Sequence, residues 1–308
     1  AAALAGMTNV GNRIVNCDMP GGFYVLWTIP LLFAPYKDGA KIDCRPVACG
    51  NSRRRFYGRC HALDYVDVTK RDAEPVQLGS ATPAGVQVMG VGLHVHFSVF
   101  KLVQLMIKAD FKNSFNLVER AEIMGAGRRR LPTMHRYWEA ESRPRSPIFI
   151  ADRHGHLVQA PFDSVQGTQQ GSEYGAKGHN AAYQPLFDEL NAFLQMHGGI
   201  VRADCDDCVI VAPPALAVEA FRRLAVGARE RGGQLQPTKS KAYALDVVKD
   251  AMVAAGVALP EGVAWGTNED ADGAESFGLV VAGTPIGDSQ FVLNHVTKTV
   301  QNVLATTT

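Results

Sequence analysis

The sequence lacks any uninterrupted apolar run long enough to cross a membrane. The most apolar early stretch, Phe23 to Ala34, is too short for a spanning helix and contains Pro30. The sequence also lacks an excess of charge of one sign, since 31 basic and 30 acidic side chains give a formal net charge of +1. We therefore expect no membrane segment. A nucleic acid would have to bind where basic residues cluster locally, because the chain as a whole is not basic.

Cysteine is scarce, and the six cysteines show no disulfide framework. Cys205 and Cys208 form a CxxC pair, but a zinc site of that kind needs a second pair of ligands, which the sequence does not supply. Unpaired cysteines fit a reducing compartment, so we expect an intracellular protein, either nuclear or cytoplasmic. The sequence has no signal peptide and no initiator methionine, and we expect it to be a piece of a longer protein.

Three acids lie between two short apolar runs in the segment Val201 to Pro214. The runs are rich in β-branched residues, and the centre carries Asp204, Asp206 and Asp207. This pattern predicts two strands of a hairpin with the acids at its turn. Crowded carboxylates repel one another, so such a turn is costly unless a cation offsets the charge. Hard oxygen ligands of this kind suit Mg²⁺ or Mn²⁺.

A second apolar segment, farther upstream, also ends in an acid. In LVQLMIKADF a strand from Leu105 to Ala109 would be followed by Asp110. If this strand lies beside the hairpin, the carboxylates of Asp110, Asp206 and Asp207 come together, which is the minimum for a two-metal phosphoryl-transfer site. The acids alone leave two interpretations open, a solvated acidic turn or a metal site.

The order of four segments resembles motifs A, B, C and D of a reverse transcriptase palm. The segments are ADFKNSFNLVER, GTQQGS, ADCDD and QPTKSKAY. CRPVACGNSRRRF also resembles the fingers segment of that family, and VVAGTPIGDSQFV resembles the segment after motif D. The similarity is greatest to reverse transcriptases of non-long-terminal-repeat retrotransposons and covers roughly residues 30 to 295.

The resemblance implies the α+β fold of a right-hand polymerase. The palm would be a βαββαβ-like antiparallel sheet backed by helices, and the thumb would be absent or truncated. We expect a fingers region over 1–104, a palm with motifs A to D over 105–250, and the end of the palm or the start of a thumb connection over 251–308. We expect other domains to belong to the same polyprotein or element-encoded protein.

The sequence also predicts local structure around these motifs. Asn51 would cap a helix from Ser52 to about Leu63, and Gly85 to Gln104 would form a mostly apolar helix. A polar, turn-rich composition predicts a loop from Asp67 to Pro83. The residues Asp152 to Gly155 are typical of a hairpin turn.

The resemblance implies roles for the acids and for one lysine. Asp110 and Asp206 would hold two Mg²⁺ or Mn²⁺ ions, with Asp207 completing the charge and the backbone carbonyl of Phe111 as a further ligand. Lys239, in PTKSK, matches the motif D lysine near the pyrophosphate leaving group and could act as a general acid. The alternative is an ordinary lysine in a turn.

The incoming dNTP would be held by residues of the fingers and of motif B. Arg45 matches the arginine that holds the triphosphate, and Lys37 is a weaker candidate for the same anion. Gln170 matches the glutamine of the family, and Gly171 would let the backbone approach template and nucleotide closely. Phe115 matches the aromatic residue that blocks a ribose 2′-OH, although such a ring can also be plain core packing.

A basic cluster is expected to bind the phosphates of an RNA or DNA template and its primer. The cluster consists of Arg53, Arg54, Arg55 and Arg59. A charge cluster can also be only a solvated surface, so both interpretations stay open at this point.

Two residues of the acidic hairpin depart from the family pattern and keep several functions open. Asp204 stands where an aromatic is usual, and Cys205 where a small or aliphatic residue is usual. The leading interpretation is an RNA-directed DNA polymerase, and the second is a catalytically inactive palm that binds nucleic acid as a scaffold. A viral RNA-dependent RNA polymerase fits Phe115 and the CDD sequence poorly. A palm-fold nucleotide cyclase would not need Arg45.

Overall fold

The structure, a computed structural model, describes residues 2–33, 47–79, 81–143, 145–152, 154–169, 171–269 and 275–307. The chain divides into two compact units that interleave along the sequence. The first unit is Ala1–Ala73, Asn113–Tyr183 and Arg231–Gly233, and the second is Glu74–Lys112, Gln184–Glu230 and Gln234–Thr308. Each unit is therefore assembled from several stretches, whereas the sequence prediction used three consecutive segments.

Helices and strands are interspersed along the described residues, with runs of two or more of the same kind. The helices are α1 (Ala2–Val15), α2 (Gly21–Trp27), α3 (Ser52–Asp64), α4 (Val66–Ala73), α5 (Gly85–Phe100), α6 (Ser114–Leu117), α7 (Arg120–Arg130), α8 (His135–Ser142), α9 (Gly175–Gln195), α10 (Pro214–Glu230), α11 (Asp246–Ala254) and α12 (Ser289–Thr307). The strands are β1 (Leu31–Phe33), β2 (Val47–Cys49), β3 (Leu105–Ala109), β4 (Ser146–Ala151), β5 (Leu157–Ser164), β6 (Ile200–Asp204), β7 (Asp207–Ala212), β8 (Lys241–Tyr243), β9 (Ala264–Trp265), β10 (Thr267–Glu269), β11 (Glu275–Val281) and β12 (Thr284–Gly287). None of these described helices is both long and apolar enough to span a membrane.

The acidic segments lie on a five-stranded sheet of the second unit, ordered β6-β7-β3-β8-β9. Strands β6 and β7 form an antiparallel hairpin whose last pair is Asp204 with Asp207. Strand β3 pairs antiparallel with β7 as far as Ala109 and Cys208. The predicted hairpin and the predicted strand from Leu105 to Ala109 are both confirmed. In an antiparallel pair the end of one strand lies beside the start of the other, so Asp110 and the acidic turn share one end of the sheet.

The α+β class is confirmed, but the sheets are mixed rather than purely antiparallel. Strand β8 pairs in parallel with the two-residue edge strand β9. In the first unit the sheet order is β2-β1-β4-β5, and β1 pairs in parallel with β4. The parallel pairs lie between strands that are distant in sequence, so local turn signals could not reveal them.

Side chains of the five-stranded sheet alternate between two packed faces. Met106, Val209 and Val211 contribute one face to a buried cluster with residues of α5 and of the β11–β12 hairpin. Helix α10 packs against β3 and β7. The β11–β12 turn consists of Ala282 and Gly283, which have φ values of +50° and +79°. Positive φ at both positions matches the twist of a tight hairpin, so VVAGTPIG forms a hairpin in the second unit.

Local predictions in the first unit are confirmed at the start of α3. The Asn51 side chain accepts a hydrogen bond from the Arg54 N–H at 2.9 Å, so the predicted cap is present. At the β4–β5 turn, Asp152 Oδ1 accepts the N–H groups of His154 and His156, both at 2.8 Å. This fixes the predicted hairpin turn by an aspartate side chain.

The predicted loop from Asp67 to Pro83 is wrong over its first part, which forms helix α4. Thr69 and Ala73 are four residues apart and both are buried, so this short helix has an inward face despite its polar composition. The Thr69 hydroxyl donates to the Tyr65 carbonyl at 2.8 Å. In α5 the predicted helix is confirmed, but it ends at Phe100 rather than Gln104.

Candidate active site

Asp110 follows the last residue of β3, and hydrogen bonds hold its backbone on both sides. Its N–H donates to the Ser240 Oγ at 3.0 Å, and its carbonyl accepts from the Gln236 N–H at 2.7 Å. The Ser240 hydroxyl donates in turn to the Gln236 carbonyl at 3.1 Å, and Ser240 is fully buried. The first acid is therefore fixed against the turn from Gln236 to Ser240. Sequence reasoning missed Ser240, although it stands in the motif D segment PTKSK.

Lys239 lies in the same turn that holds Asp110. Its N–H donates to the Gln236 carbonyl at 3.0 Å, and its side chain is exposed. Phe111 is buried and forms an antiparallel bridge with Leu235, just before that turn. The structure thus brings Lys239, Phe111 and Asp110, all predicted from sequence, into one region of the second unit.

The remaining predicted acids lie in the β6–β7 turn. The turn consists of Cys205 and Asp206, between the paired residues Asp204 and Asp207. Cys205 has a φ of +55°, a left-handed conformation that costs a non-glycine residue about 1 kcal/mol. Backbone strain of this kind clusters at functional sites, where the surroundings hold it in place.

The acids of the turn are crowded, as the sequence predicted. Burial raises the pKa of Asp206, and the negative charges of Asp207, Asp110 and Asp204 raise it further. Burial and the charge of Asp207 likewise raise the pKa of Asp204. Each shift reports unfavourable free energy of the ionised form, which a bound cation would relieve.

A lysine of the chain itself, which sequence reasoning missed, supplies a positive charge beside the acids. The Lys108 Nζ lies 3.2 Å from Asp207 Oδ1 and donates to the Val280 carbonyl at 3.2 Å. Lys108 stands two residues before Asp110, and side chains at positions i and i+2 of a strand point to the same face of the sheet. The alternation of side chains along Lys108, Ala109 and Asp110 therefore predicts a lysine on the same side as the acids.

The donor set suits a hard divalent cation, but its side chains are not gathered around one point. Within the described residues, no three acidic, histidine or cysteine side chains form a group that could hold a metal ion. Carboxylate oxygens and the raised pKa of Asp206 fit Mg²⁺ or Mn²⁺. Lys108 gives Asp207 an internal partner instead. Metal binding at Asp110, Phe111, Asp206 and Asp207 stays a prediction.

No protein-family model matches the chain, and no curated protein matches it in sequence. Solved structures of telomerase from Candida tropicalis resemble it, one with a TM-score of 0.56 at 10% identity over 86% of this chain and 49% of that one. A form of that telomerase truncated from the C-terminal domain gives a TM-score of 0.52 at 10% identity, over 70% of this chain and 50% of that one. Telomerase from Candida albicans gives a TM-score of 0.51 at 11% identity, over 73% of this chain and 43% of that one. That structure is a complex with a TWJ fragment of telomeric RNA.

The chain has a reverse-transcriptase-like fold. The matches to telomerase are at such low identity that they show the fold alone. This chain spans about half the length of those two Candida tropicalis structures, 49% and 50%. The expected fold class is therefore confirmed, and activity needs its own test.

Phe115 belongs to the first unit and lies in the short helix α6. Its ring is partly buried and stacks on the ring of His179, with centroids 4.6 Å apart and planes at 24°. His179 is fully buried, and burial lowers its pKa to about 4, so it is neutral at pH 7. The same imidazole is hydrogen-bonded to the Ser114 hydroxyl. Phe115 thus packs on His179 and stays partly exposed.

The arginine cluster of α3 is divided between two environments. Arg53, Arg55 and Arg59 are exposed, and none pairs with a carboxylate of a described residue. Arg54 points inward, and assigning it to nucleic acid was wrong. Its Nε lies 2.9 Å from Glu141 Oε1, and only 4% of the residue is exposed.

Arg54 and Glu141 form a buried ion pair close to motif B. Burial acts to raise the pKa of Glu141, but the charge and hydrogen bonds of Arg54 outweigh it and hold the pKa below its ordinary value. Arg54 Nη1 also donates to Gln169 Oε1 at 2.7 Å. The Gln169 amide donates to the Thr28 carbonyl at 3.2 Å. Arg54 therefore holds the polypeptide just before the motif B glycine and is not available to phosphates.

The other predicted nucleotide-binding residues are only partly described. Gly171 has a φ of +100°, a conformation that residues with a Cβ rarely adopt, so the backbone itself requires this glycine. Lys37, Arg45 and Gln170 lie outside the described residues. Their assignments stay predictions from the sequence.

Proposed function

We propose that this chain is the polymerase part of an RNA-directed DNA polymerase of the kind found in non-long-terminal-repeat retrotransposons. It would add dNTPs to a primer 3′-OH on an RNA or DNA template. The observation that carries the proposal is the hydrogen bonding of Asp110 to the turn of Lys239, at the sheet end that also carries Asp206 and Asp207. A reverse-transcriptase-like fold supports it, because this is the fold of telomerase, itself a reverse transcriptase.

The acids and the lysine would divide the chemistry. Asp110, Asp206, Asp207 and the Phe111 carbonyl would hold two Mg²⁺ or Mn²⁺ ions, which supply activation of the 3′-OH and neutralise triphosphate charge when bound. The exposed ammonium of Lys239 would donate a proton to the departing pyrophosphate.

The remaining residues would bind and select. Arg45 and Lys37 would hold the triphosphate, while Gln170 and Gly171 would face nucleotide and template. Phe115 would exclude the 2′-OH. The exposed arginines would bind phosphates through charge alone, namely Arg53, Arg55 and Arg59.

Primer extension on poly(rA)–oligo(dT), first with Mg²⁺ and then with Mn²⁺, tests the proposal. The wild-type chain should extend the primer, and Asp110→Asn or Asp206→Asn should lose at least about 100-fold of that activity, since a lost metal ligand removes several kcal/mol of transition-state stabilisation. Asp250→Asn is the matched control, because Asp250 is exposed on α11 of the same unit. More than about a hundredth of the activity in either active-site variant would contradict the assignment.

A second candidate function is a palm that binds nucleic acid without catalysis. The Lys108–Asp207 ion pair favours it, because a lysine there competes with a metal for the same carboxylate. In that case the wild-type chain binds primer–template in a filter assay but incorporates no dNTP with either metal. Incorporation that depends on Asp206 excludes this candidate.

A further inference from the structure

A short segment before α5 runs alongside the catalytic hairpin. The segment is Val76–Gly79, and it lies parallel to β6, with Gln77 bridged to Ala203. The Ala203 N–H donates to the Val76 carbonyl at 2.8 Å, and the Leu78 N–H donates to the Ala203 carbonyl at 2.9 Å. These bonds cover the backbone edge of β6 just where the strand reaches the acidic turn.

The side chain of Gln77 reaches past the end of β6 and binds the turn itself. Its Nε2 donates to the Cys205 carbonyl at 3.2 Å, and its Oε1 accepts the Cys205 N–H at 3.1 Å. Gln77 is only 1% exposed, so these bonds are shielded from water. One amide thus satisfies both backbone groups of the residue that precedes Asp206.

Cys205, the residue that Gln77 holds, has a strained backbone. Cys205 adopts a φ of +55°, which an unsupported non-glycine residue would tend to leave. Rotation there would move the adjoining Asp206. The segment also approaches closely, since a Cβ on Gly79 would lie 1.5 Å from Asp204 Oδ1. A side chain at position 79 would therefore displace the Asp204 carboxylate, next to the turn that Gln77 holds.

We propose that Gln77 is a positioning residue for the catalytic turn, which it holds so that Asp206 keeps its place relative to Asp110. This inference rests on the proposed polymerase function. It assigns Gln77 no contact with substrate. A displacement of about 1 Å in a reacting group can cost about 100-fold in rate. Loss of the two hydrogen bonds made by the Gln77 amide should therefore lower kcat.

The experiment compares two buried glutamines of the same unit. Gln77→Met keeps the length of the side chain and removes both hydrogen bonds, and Gln77→Glu keeps only the acceptor for the Cys205 N–H. The control is Gln104→Met, because Gln104 is 2% exposed and binds the Gly198 carbonyl at the opposite end of β3 and β6. The assays are kcat and KM for dTTP on poly(rA)–oligo(dT), affinity for primer–template, and hydrogen exchange of the turn peptide.

For Gln77→Met we expect kcat to fall roughly 10- to 100-fold, with KM and primer–template affinity within about threefold of wild type. The Cys205 amide should exchange faster, because its acceptor is gone. Gln77→Glu should retain that protection, and Gln104→Met should leave kcat and turn exchange unchanged. A merely structural role would lower stability in both methionine variants without separating kcat from KM.

Two results overturn the inference in distinguishable ways. Unchanged exchange at Cys205 in Gln77→Met shows that the amide does not hold the turn. Faster exchange with unchanged kcat shows that holding the turn does not serve catalysis. A wild-type chain that extends no primer overturns the proposed function and the catalytic part of this inference, while the exchange measurement still decides whether Gln77 holds the turn.

Discussion

Replacing Phe115 with valine tests whether its ring selects the sugar of the incoming nucleotide. The ring stacks on His179, and the residue is only partly buried, so some of its surface is open to solvent. If a ribose 2′-OH meets that ring, the clash resembles overpacking, which costs about 1–3 kcal/mol. Removing it should raise kcat/KM for UTP by roughly 5- to 150-fold and leave kcat/KM for dTTP within about threefold.

The same substitution has a separate cost in stability. A fully buried phenylalanine would lose about 3–5 kcal/mol on truncation to alanine, but Phe115 is only partly buried and valine retains some volume. The ring stack contributes a further 0.5–1.5 kcal/mol in general. We expect a total loss of about 1–3 kcal/mol, which lowers Tm by a few degrees in a chain of this size.

The assay is single-nucleotide extension on poly(rA)–oligo(dT) with dTTP or UTP, run beside thermal melting. His179→Phe keeps a ring under Phe115 and should preserve the dTTP/UTP ratio of kcat/KM, whereas His179→Ala removes the support and should lower it. His61→Phe controls for loss of a buried histidine elsewhere in the first unit. An unchanged ratio in Phe115→Val together with a large fall in Tm would show that Phe115 is a core residue and not a gate.

Three further predictions concern charge. Arg54→Ala should cost about 3–5 kcal/mol of unfolding free energy by leaving Glu141 buried and unpaired, while Arg59→Ala should leave Tm unchanged and reduce the salt slope of primer–template binding by about 1 in filter assays. Burial and neighbouring charges raise the pKa of Asp206, so the folded state binds more protons than the unfolded state, and the free energy of unfolding falls as pH rises from the ordinary pKa through the raised one. Asp206→Asn should reduce that fall in metal-free melting curves, and the raised pKa of Asp204 accounts for the part that remains. Lys108→Met should strengthen Mn²⁺ binding in an EPR titration, and unchanged binding would contradict competition at Asp207.

The sequence was sufficient for features whose signals are local. Alternation around the acids predicted the hairpin and β3, and the asparagine before a helix predicted the cap at Asn51. Residues whose partners lie far along the chain were missed. Gln77 and Cys205 are 128 positions apart, and nothing in either neighbourhood signals the contact. Its discovery needed the fold.

The error at Arg54 has a different cause. A run of arginines was treated as one basic cluster, although residues on a helix point in different directions. Arg54, Gly58, His61 and Ala62 are all buried; Gly58 lies four residues after Arg54, and His61 and Ala62 lie three and four residues after Gly58. The structure therefore places Arg54 on the inward face of α3, while its neighbours Arg53 and Arg55 face the solvent.

The departure at Asp204 is best understood together with the segment that covers it. An aromatic is usual there in the reverse transcriptases that the sequence resembles, but Gly79 comes so close that a Cβ added to it would lie 1.5 Å from Asp204 Oδ1. A large ring would need that space. Burial and the charge of Asp207 raise the pKa of Asp204, so the small acid is an unfavourable charge where it stands. An isolated loss of an aromatic would have left a gap, whereas here the hairpin, Asp204 and the Val76–Gly79 segment fit one another. The same close approach gives Gln77 its reach to Cys205, so the unusual acid and the proposed positioning of Asp206 are consequences of one packing arrangement.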